Sequence, residues 1–495
     1  MAGAWEPLGP FGGSAAIVQV DHRPGVVVAA TNNAQVYRSE DNGDSWKALP
    51  FPAQLRSNLH ALVVDRRHPG VYFVGLSSET PKYSGIMRSS DSGMTWERIP
   101  QPGLTAIWSI AIWSQDSRVM AAGGEHGLWL TRDGGQTWKQ IAPLDIPEIN
   151  PVVSLAFDPW ESNILYAGTP HLAWKTTDGG ATWQSIHDKM LDDSDVFSIL
   201  VDDRSRKRIF AATCGGIYRS LDRGEEWTKL TQAKGASYRT YHLAQNLQQP
   251  NVLLAGTSLG LIKSVDSGNT WRKLSSQSTR WIAFDPEQPN RVFVATDEAG
   301  LLRSDDGGES FQEINQGFTN RRFAELTTVE NSLFVTMLTA GGGSILRHSD
   351  SDAGWEDLRV TLEPEEPATP EPFLQNDLRV HDAVTTKNGA LLAATSRGLA
   401  KSRDAGLTWH LEPGTLYGTS VSALCRHPAQ PGVLFAATFG GIFLSRDGGS
   451  TWTPLTAGRD HPDDVITLLV LPGSPDRLLA LSRSRGVYAI ALPKQ

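Results

Sequence analysis

Cysteine is almost missing from this chain: there are 2 in 495 residues. Cys214 and Cys425 stand far apart, so no disulfide framework is available to hold the fold. No apolar run approaches the roughly 18 residues that span a bilayer, so no transmembrane helix is expected. The opening residues, MAGAWEPLGP, hold neither a basic stretch nor an apolar core. No secretory leader is read there, and a cytoplasmic location is the expectation. Basic excess is also lacking: 45 Lys and Arg against 54 Asp and Glu give a net charge of −9. A surface of that sign does not collect phosphates, which argues against nucleic acid as a partner. The 12 histidines include no H-E-x-x-H pair and no Cys/His grouping. Neither zinc nor any other cofactor is expected. A sustained 3.6-residue apolar period is absent too, so almost no helix is expected.

What the chain does have is one short phrase, many times over. TRDGGQTW (131–138) has the look of a ligand loop, with an acid, glycines and hydroxyls. Its relatives are SEDNGDSW (39–46), SSDSGMTW (89–96), TTDGGATW (176–183), SLDRGEEW (220–227) and SVDSGNTW (264–271). SDDGGESF (304–311), SRDAGLTW (402–409) and SRDGGSTW (445–452) continue the series, and a worn copy ends at Trp355. The aspartates are Asp41, Asp91, Asp133, Asp178, Asp222, Asp266, Asp306, Asp404 and Asp447. They recur at intervals in the forties, with one double interval across the worn copy. A fixed period of that length marks a repeat architecture.

One unit shows what is repeated. In residues 152–187, VSLAFD alternates apolar and polar, DPWESN is a turn, and ILYAGT and LAWKT are two further strands. The acidic phrase follows as a hairpin, and WQSIH is the fourth strand. Four antiparallel strands at this period match a β-propeller blade. Eleven such units begin near residues 16, 60, 107, 152, 196, 240, 281, 324, 381, 421 and 465. The last lacks its fourth strand, while WEPLG (5–9) has the form of one. An N-terminal strand completing the C-terminal blade removes a free sheet edge. The expected fold is therefore all-β: ten or eleven blades in one large ring over 1–495, with two smaller propellers as the alternative. Each aspartate is read as a turn clamp serving the ring, accepting backbone amides two or three residues on. The glycine supplies positive φ.

These phrases are Asp-boxes, or BNR repeats, and the chain resembles the Asp-box propeller superfamily. That group includes sialidases, family-74 xyloglucanases, sortilin/Vps10 ectodomains and photosystem II assembly factors of the Ycf48 kind. The extended phrase FDP…LYAGT…GIYRS…DGG.TW is most similar to the last three. The resemblance implies a ligand face opposite the Asp-boxes, built from loops between the second and third strands and between blades. Residues that vary there are Asn32, His126, His171, Cys214, Ser258, Asp297, Arg397, Phe439 and Arg485.

Three successive blade starts place arginine beside an aromatic: SYRTYH (237–242), STRWI (278–282) and NRRFA (320–324). Arg239, Arg280 and Arg322, with Tyr241, His242 and Trp281, are the ligand-binding candidates, together with His171. Arginine's planar fork suits a carboxylate, and sialidases use three arginines on one; surface arginines paired with acids are the alternative. Family-74 enzymes carry an aspartate in a phrase like ATDEAGLLR (295–303), which makes Asp297 the candidate catalytic acid or base. The first blade has Asn32 at that place. A glycosidase needs two carboxyls, and no partner for Asp297 is read. Asp188, Asp192, Asp193 and Asp195 gather on one loop without calcium-site spacing. The segment 361–378 is a Pro/Glu-rich insertion, read as an exposed loop. Function is expected to be that of a binding scaffold for a protein, a carbohydrate or a small anionic ligand. The alternative is a carbohydrate-active hydrolase of the glycosidase or sialidase type.

Overall fold

Branched and aromatic runs pair as the repeat predicts, giving eleven four-stranded antiparallel sheets. The computed structural model describes residues 6–52, 57–100, 106–142, 147–190, 195–230, 238–329, 332–339, 342–349, 354–357, 380–386, 389–403, 410–455, 462 and 464–492. Among these, helix is confined to two short 3-10 turns, Pro81–Tyr83 and Pro147–Ile149. No helix of the described residues is long and apolar enough to cross a membrane. The Pro/Glu-rich segment 361–378 and Asp404 lie outside the described residues.

Sheets are numbered here by their first strands. Sheets 1 to 7 begin with Ile17–Val20, Asn58–Val64, Ile107–Ile112, Ser154–Phe157, Val196–Val201, Thr240–Gln245 and Thr279–Phe284. Sheets 8 to 11 begin with Arg322–Val329, Val380–Thr385, Val421–Arg426 and Val465–Leu471. The second strand of each unit is the most buried. In sheets 2, 4, 5 and 7 it carries an aromatic that packs wholly inside, Tyr72, Tyr166, Phe210 and Phe293, each 0% exposed.

Contacts divide the chain into two compact units, Gly12–Phe318 and Met1–Phe11 with Thr319–Gln495. In the first, neighbouring first strands lie side by side from sheet 1 to sheet 7, and the seventh lies against the first. Tyr37, Trp46, Phe293, Ile314 and Phe318 share that seam as one apolar cluster. Trp46 Nε1 donates to Ile314 O at 2.6 Å, and Arg303 Nη1 reaches Asp44 at 2.6 Å. The cycle of neighbours thus returns to its start after seven sheets. One large ring over 1–495 and two smaller propellers were the two expectations, and the number of units does not choose between them. The physical reason is that every blade presents a similar interface to its neighbour, so a count of units leaves the point of return open.

In the second unit, sheet 9 packs on sheet 10, sheet 10 on sheet 11, and sheet 11 on sheet 8. The strand Glu6–Gly9 pairs antiparallel with Gly486–Ala491 and completes sheet 11, as the sequence suggested.

The acidic hairpins close on themselves. Ser39 Oγ donates to Asp41 Oδ1 at 2.6 Å and accepts the Gly43 amide at 2.7 Å. Asp41 in turn accepts the Ser45 amide at 2.9 Å and the Ser45 hydroxyl at 2.5 Å. The amide accepted here is four residues on; Asp306 and Asp447 also accept the amide three residues on, as expected. Asn42 and Gly43 both take positive φ, 60° and 91°. A Cβ on Gly43 would lie 2.6 Å from Ile314 Cδ1, so the glycine also serves the seam. Asp133 is held likewise, and donors from Thr137 pull its carboxyl down to about 2.

The tryptophans after these hairpins split into two groups. Trp46, Trp183 and Trp227 donate to a carbonyl of the neighbouring sheet. Trp96, Trp138, Trp271 and Trp452 donate within their own hairpin. A second set of clamps sits in the turns after first strands. Asp21, Asp65, Asp158 and Asp202 are at most 3% exposed. Asp21 accepts from Arg23, from the Tyr72 hydroxyl at 2.7 Å and from the Gly70 amide, tying sheet 1 to sheet 2.

Candidate functional site

The site begins with a defect in pairing. In five sheets of the seven-sheet unit the ladder slips by one residue near the start of the first strand. The slips fall between Leu59 and Ala61, Ile107 and Ser109, Val196 and Ser198, Thr240 and His242, and Thr279 and Trp281. Sheets 1 and 4 pair without one. An extra residue in one strand of an antiparallel pair re-aims its side chain. Here the extra residues are His60, Trp108, Phe197, Tyr241 and Arg280. All five lie toward the end of the sheets opposite the acidic hairpins.

Together they form a collar. The rings of His60 and Trp108 lie 6.1 Å apart, and those of Phe197 and Tyr241 lie 5.9 Å apart. The Arg280 guanidinium sits 4.1 Å above the Tyr241 ring, at cation–π distance. Arg280 Nε also donates to Asp297 Oδ1 at 2.6 Å, and Ser278 Oγ donates to Asp297 Oδ2 at 2.6 Å. His60 is exposed; the other four are half-buried.

Below the collar is a cavity of about 460 Å³ lined by His60, Trp108, Phe197, His242 and Trp281 and by the first strands of sheets 2 to 5. Each of those strands ends its sheet and is paired on one side only. An edge strand offers unpaired backbone N–H and C=O groups, so the walls carry hydrogen-bonding groups between apolar side chains. His242 stacks on Trp281, with ring centroids 3.9 Å apart and planes 23° apart. Nδ1 of His242 has no hydrogen-bond partner among the described residues. Desolvation pulls the His242 imidazole down to about 3.

That shift has a sign. The folded imidazole stays neutral down to about pH 3, whereas an unfolded one takes a proton near 6.5. The unfolded state binds more protons between those values, so stability is greatest above pH 6.5 and falls as pH drops toward 3. The His242→Phe variant keeps a flat ring on Trp281 and removes the titration. Its stability–pH slope in that window is expected to be shallower by about one proton, measured by denaturant unfolding at several pH values. An unchanged slope would show that His242 is not held neutral.

The sequence-read candidates fall out as follows. Tyr241, His242, Arg280, Trp281 and Asp297 come together at the collar and cavity. Arg239 is exposed, with its amide on Ser258 Oγ. Arg322 belongs to the other compact unit, and its side chain lies outside the described residues. Arg280 pairs with the Asp297 carboxylate. His171 is exposed at a loop tip, its amide bonded to Thr169 Oγ1. Of the acidic loop, Asp192 and Asp193 lie outside the described residues. Among the described residues no three His, Cys, Asp or Glu side chains are grouped to hold a metal ion. His60, Trp108 and Phe197 were missed. Their signal is a shared column, the second or third residue of NLHALVV, IWSIAI and VFSILV.

Comparison with known proteins agrees with this architecture. The Sortilin-Vps10 family model (sortilin, neurotensin receptor 3) matches residues 84–191. A xyloglucanase of Paenibacillus sp is 33% identical over 81 residues, 14% of this chain and 8% of that protein. Among solved structures, the GH74 xyloglucanase from Xanthomonas campestris superposes with a TM-score of 0.75 at 14% identity, covering 100% of both chains. The GH74 enzyme of Niastella koreensis gives 0.72 at 15% identity, covering 99% of both chains. These likenesses establish the β-propeller fold.

Proposed function

We propose that this protein recognises carbohydrate, taking a neutral glycan of the β-glucan class at the collar of the seven-sheet unit. The observation that carries the reading is the bulge-placed set His60, Trp108 and Phe197 lining one cavity, with Tyr241 beside Phe197 at its collar. A pyranose presents apolar C–H faces and hydroxyl edges. Aromatic rings match the faces, while Arg280, Asp297 and the strand edges match the hydroxyls. The fold shared with two GH74 enzymes and the local match to a xyloglucanase support a xyloglucan-like ligand over a protein one. Titration calorimetry with xyloglucan oligosaccharides and cellohexaose tests it. Saturable binding is expected; no heat from either ligand would sink the reading.

A second reading, hydrolysis, rests on Asp297 standing at the collar beside Arg280. Glycoside cleavage needs a second carboxyl roughly 5 to 10 Å away. Reducing-end release from xyloglucan, abolished in Asp297→Asn while binding persists, would establish it. Binding without release leaves the protein a glycan receptor.

A further inference from the structure

On the reading that the collar takes a glycan, we propose that the glycan binds end-on. Its terminal sugars enter the channel of the seven-sheet unit and rest against the His242–Trp281 pair; the chain does not lie across the face. Three observations carry this. The collar residues come from sheets 2, 3, 5, 6 and 7, so they surround an opening and do not form a line. A chain lying across the face would touch only those on its path. The cavity runs inward from them, and its volume of about 460 Å³ falls within the range of roughly 300 to 1,000 Å³ that small-ligand sites have. Its walls are strand edges, whose N–H and C=O groups suit hydroxyls pointing outward from a sugar on all sides.

His242 and Trp281 define the depth. They line both this cavity and a neighbouring compartment of about 320 Å³, together with first-strand residues such as Val64 and Leu200, so the stacked pair faces two adjoining parts of the channel. Specificity then lies in the chain end, and a ligand blocked at that end is excluded by size.

The test uses the unmodified protein and three forms of cellohexaose: uncapped, capped with a bulky dye at the reducing end, and capped at the other end. End-on seating predicts that one cap raises Kd at least tenfold while the other leaves it within about twofold. Equal binding of all three forms overturns the end-on mode and leaves glycan recognition standing. Failure of both uncapped cellohexaose and xyloglucan oligosaccharides to bind overturns glycan recognition itself, and the end-on mode with it; where only the xyloglucan oligosaccharides bind, the caps are placed on them and the same outcomes decide. As a second measurement, Trp281→Phe is expected to keep the fold and shift the quenching of tryptophan fluorescence that uncapped cellohexaose causes. Identical quenching in both proteins would place the ligand away from Trp281.

Discussion

Replacing Trp46 by alanine is expected to destabilise the seven-sheet unit by about 4 kcal/mol, the usual range for deleting a buried large aromatic. Trp46 is 4% exposed and packs in the seam between sheets 7 and 1, edge-on to Phe318 at 6.5 Å. Its Nε1 also satisfies the Ile314 carbonyl. Deletion opens a cavity and strands a buried acceptor at once. Trp46→Phe separates the two effects: the ring area is largely kept, the hydrogen bond is lost, and a loss of about 1 kcal/mol is expected. Urea unfolding of the three proteins measures both. The seam makes the result informative. If the seventh sheet did not pack on the first, Trp46 would sit at a solvated edge, and alanine there would cost less than about 1 kcal/mol. Hydrogen exchange adds a spatial check, because loosened protection is expected in sheets 1 and 7 before sheet 4.

The second large effect concerns binding. Trp108→Ala is expected to weaken glycan binding by about 2 kcal/mol, as central aromatic contacts do, or roughly thirtyfold in Kd. Trp108 is half-buried, so its removal trims the collar without emptying the core. His60 would lose its ring neighbour as well. Trp160 is the control: it lies in a turn toward the acidic-hairpin end, under the Arg206 guanidinium, and Trp160→Ala is expected to leave Kd unchanged. Equal weakening by both substitutions would mean that the collar is not the binding surface and that the loss came through the fold.

Much of the candidate site was legible for one reason and illegible for another. Tyr241, Arg280 and Trp281 stood out because arginine beside an aromatic is unusual at a strand start. Asp297 stood out because ATDEAGLLR resembles the phrase that carries an aspartate in family-74 enzymes. Their arrangement was not legible. Arg280 is bound by Asp297, and the side chain of Arg322 lies outside the described residues. His60, Trp108 and Phe197 look like ordinary strand residues until a bulge turns them. A bulge is a property of a pair of strands, and neither strand alone announces it.

The sequence by itself determined the repeating element. Each acidic phrase holds every group its hairpin needs within eight residues, so Asp41, Gly43 and Ser45 fold the same way wherever the unit stands. The alternation and branched residues of the flanking runs likewise set four strands per unit and a buried second strand. Only the tertiary structure decided where the succession of sheets returns to its start, which residues the pairing slips expose, and which acid meets which base. The return depends on surfaces more than two hundred residues apart, such as Trp46 and Ile314, while the slips and the Arg280–Asp297 pair depend on neighbouring strands that meet only when their sheet forms. Near-identical neighbours compete for such contacts, and the packing of particular side chains, not the local pattern, selects among them.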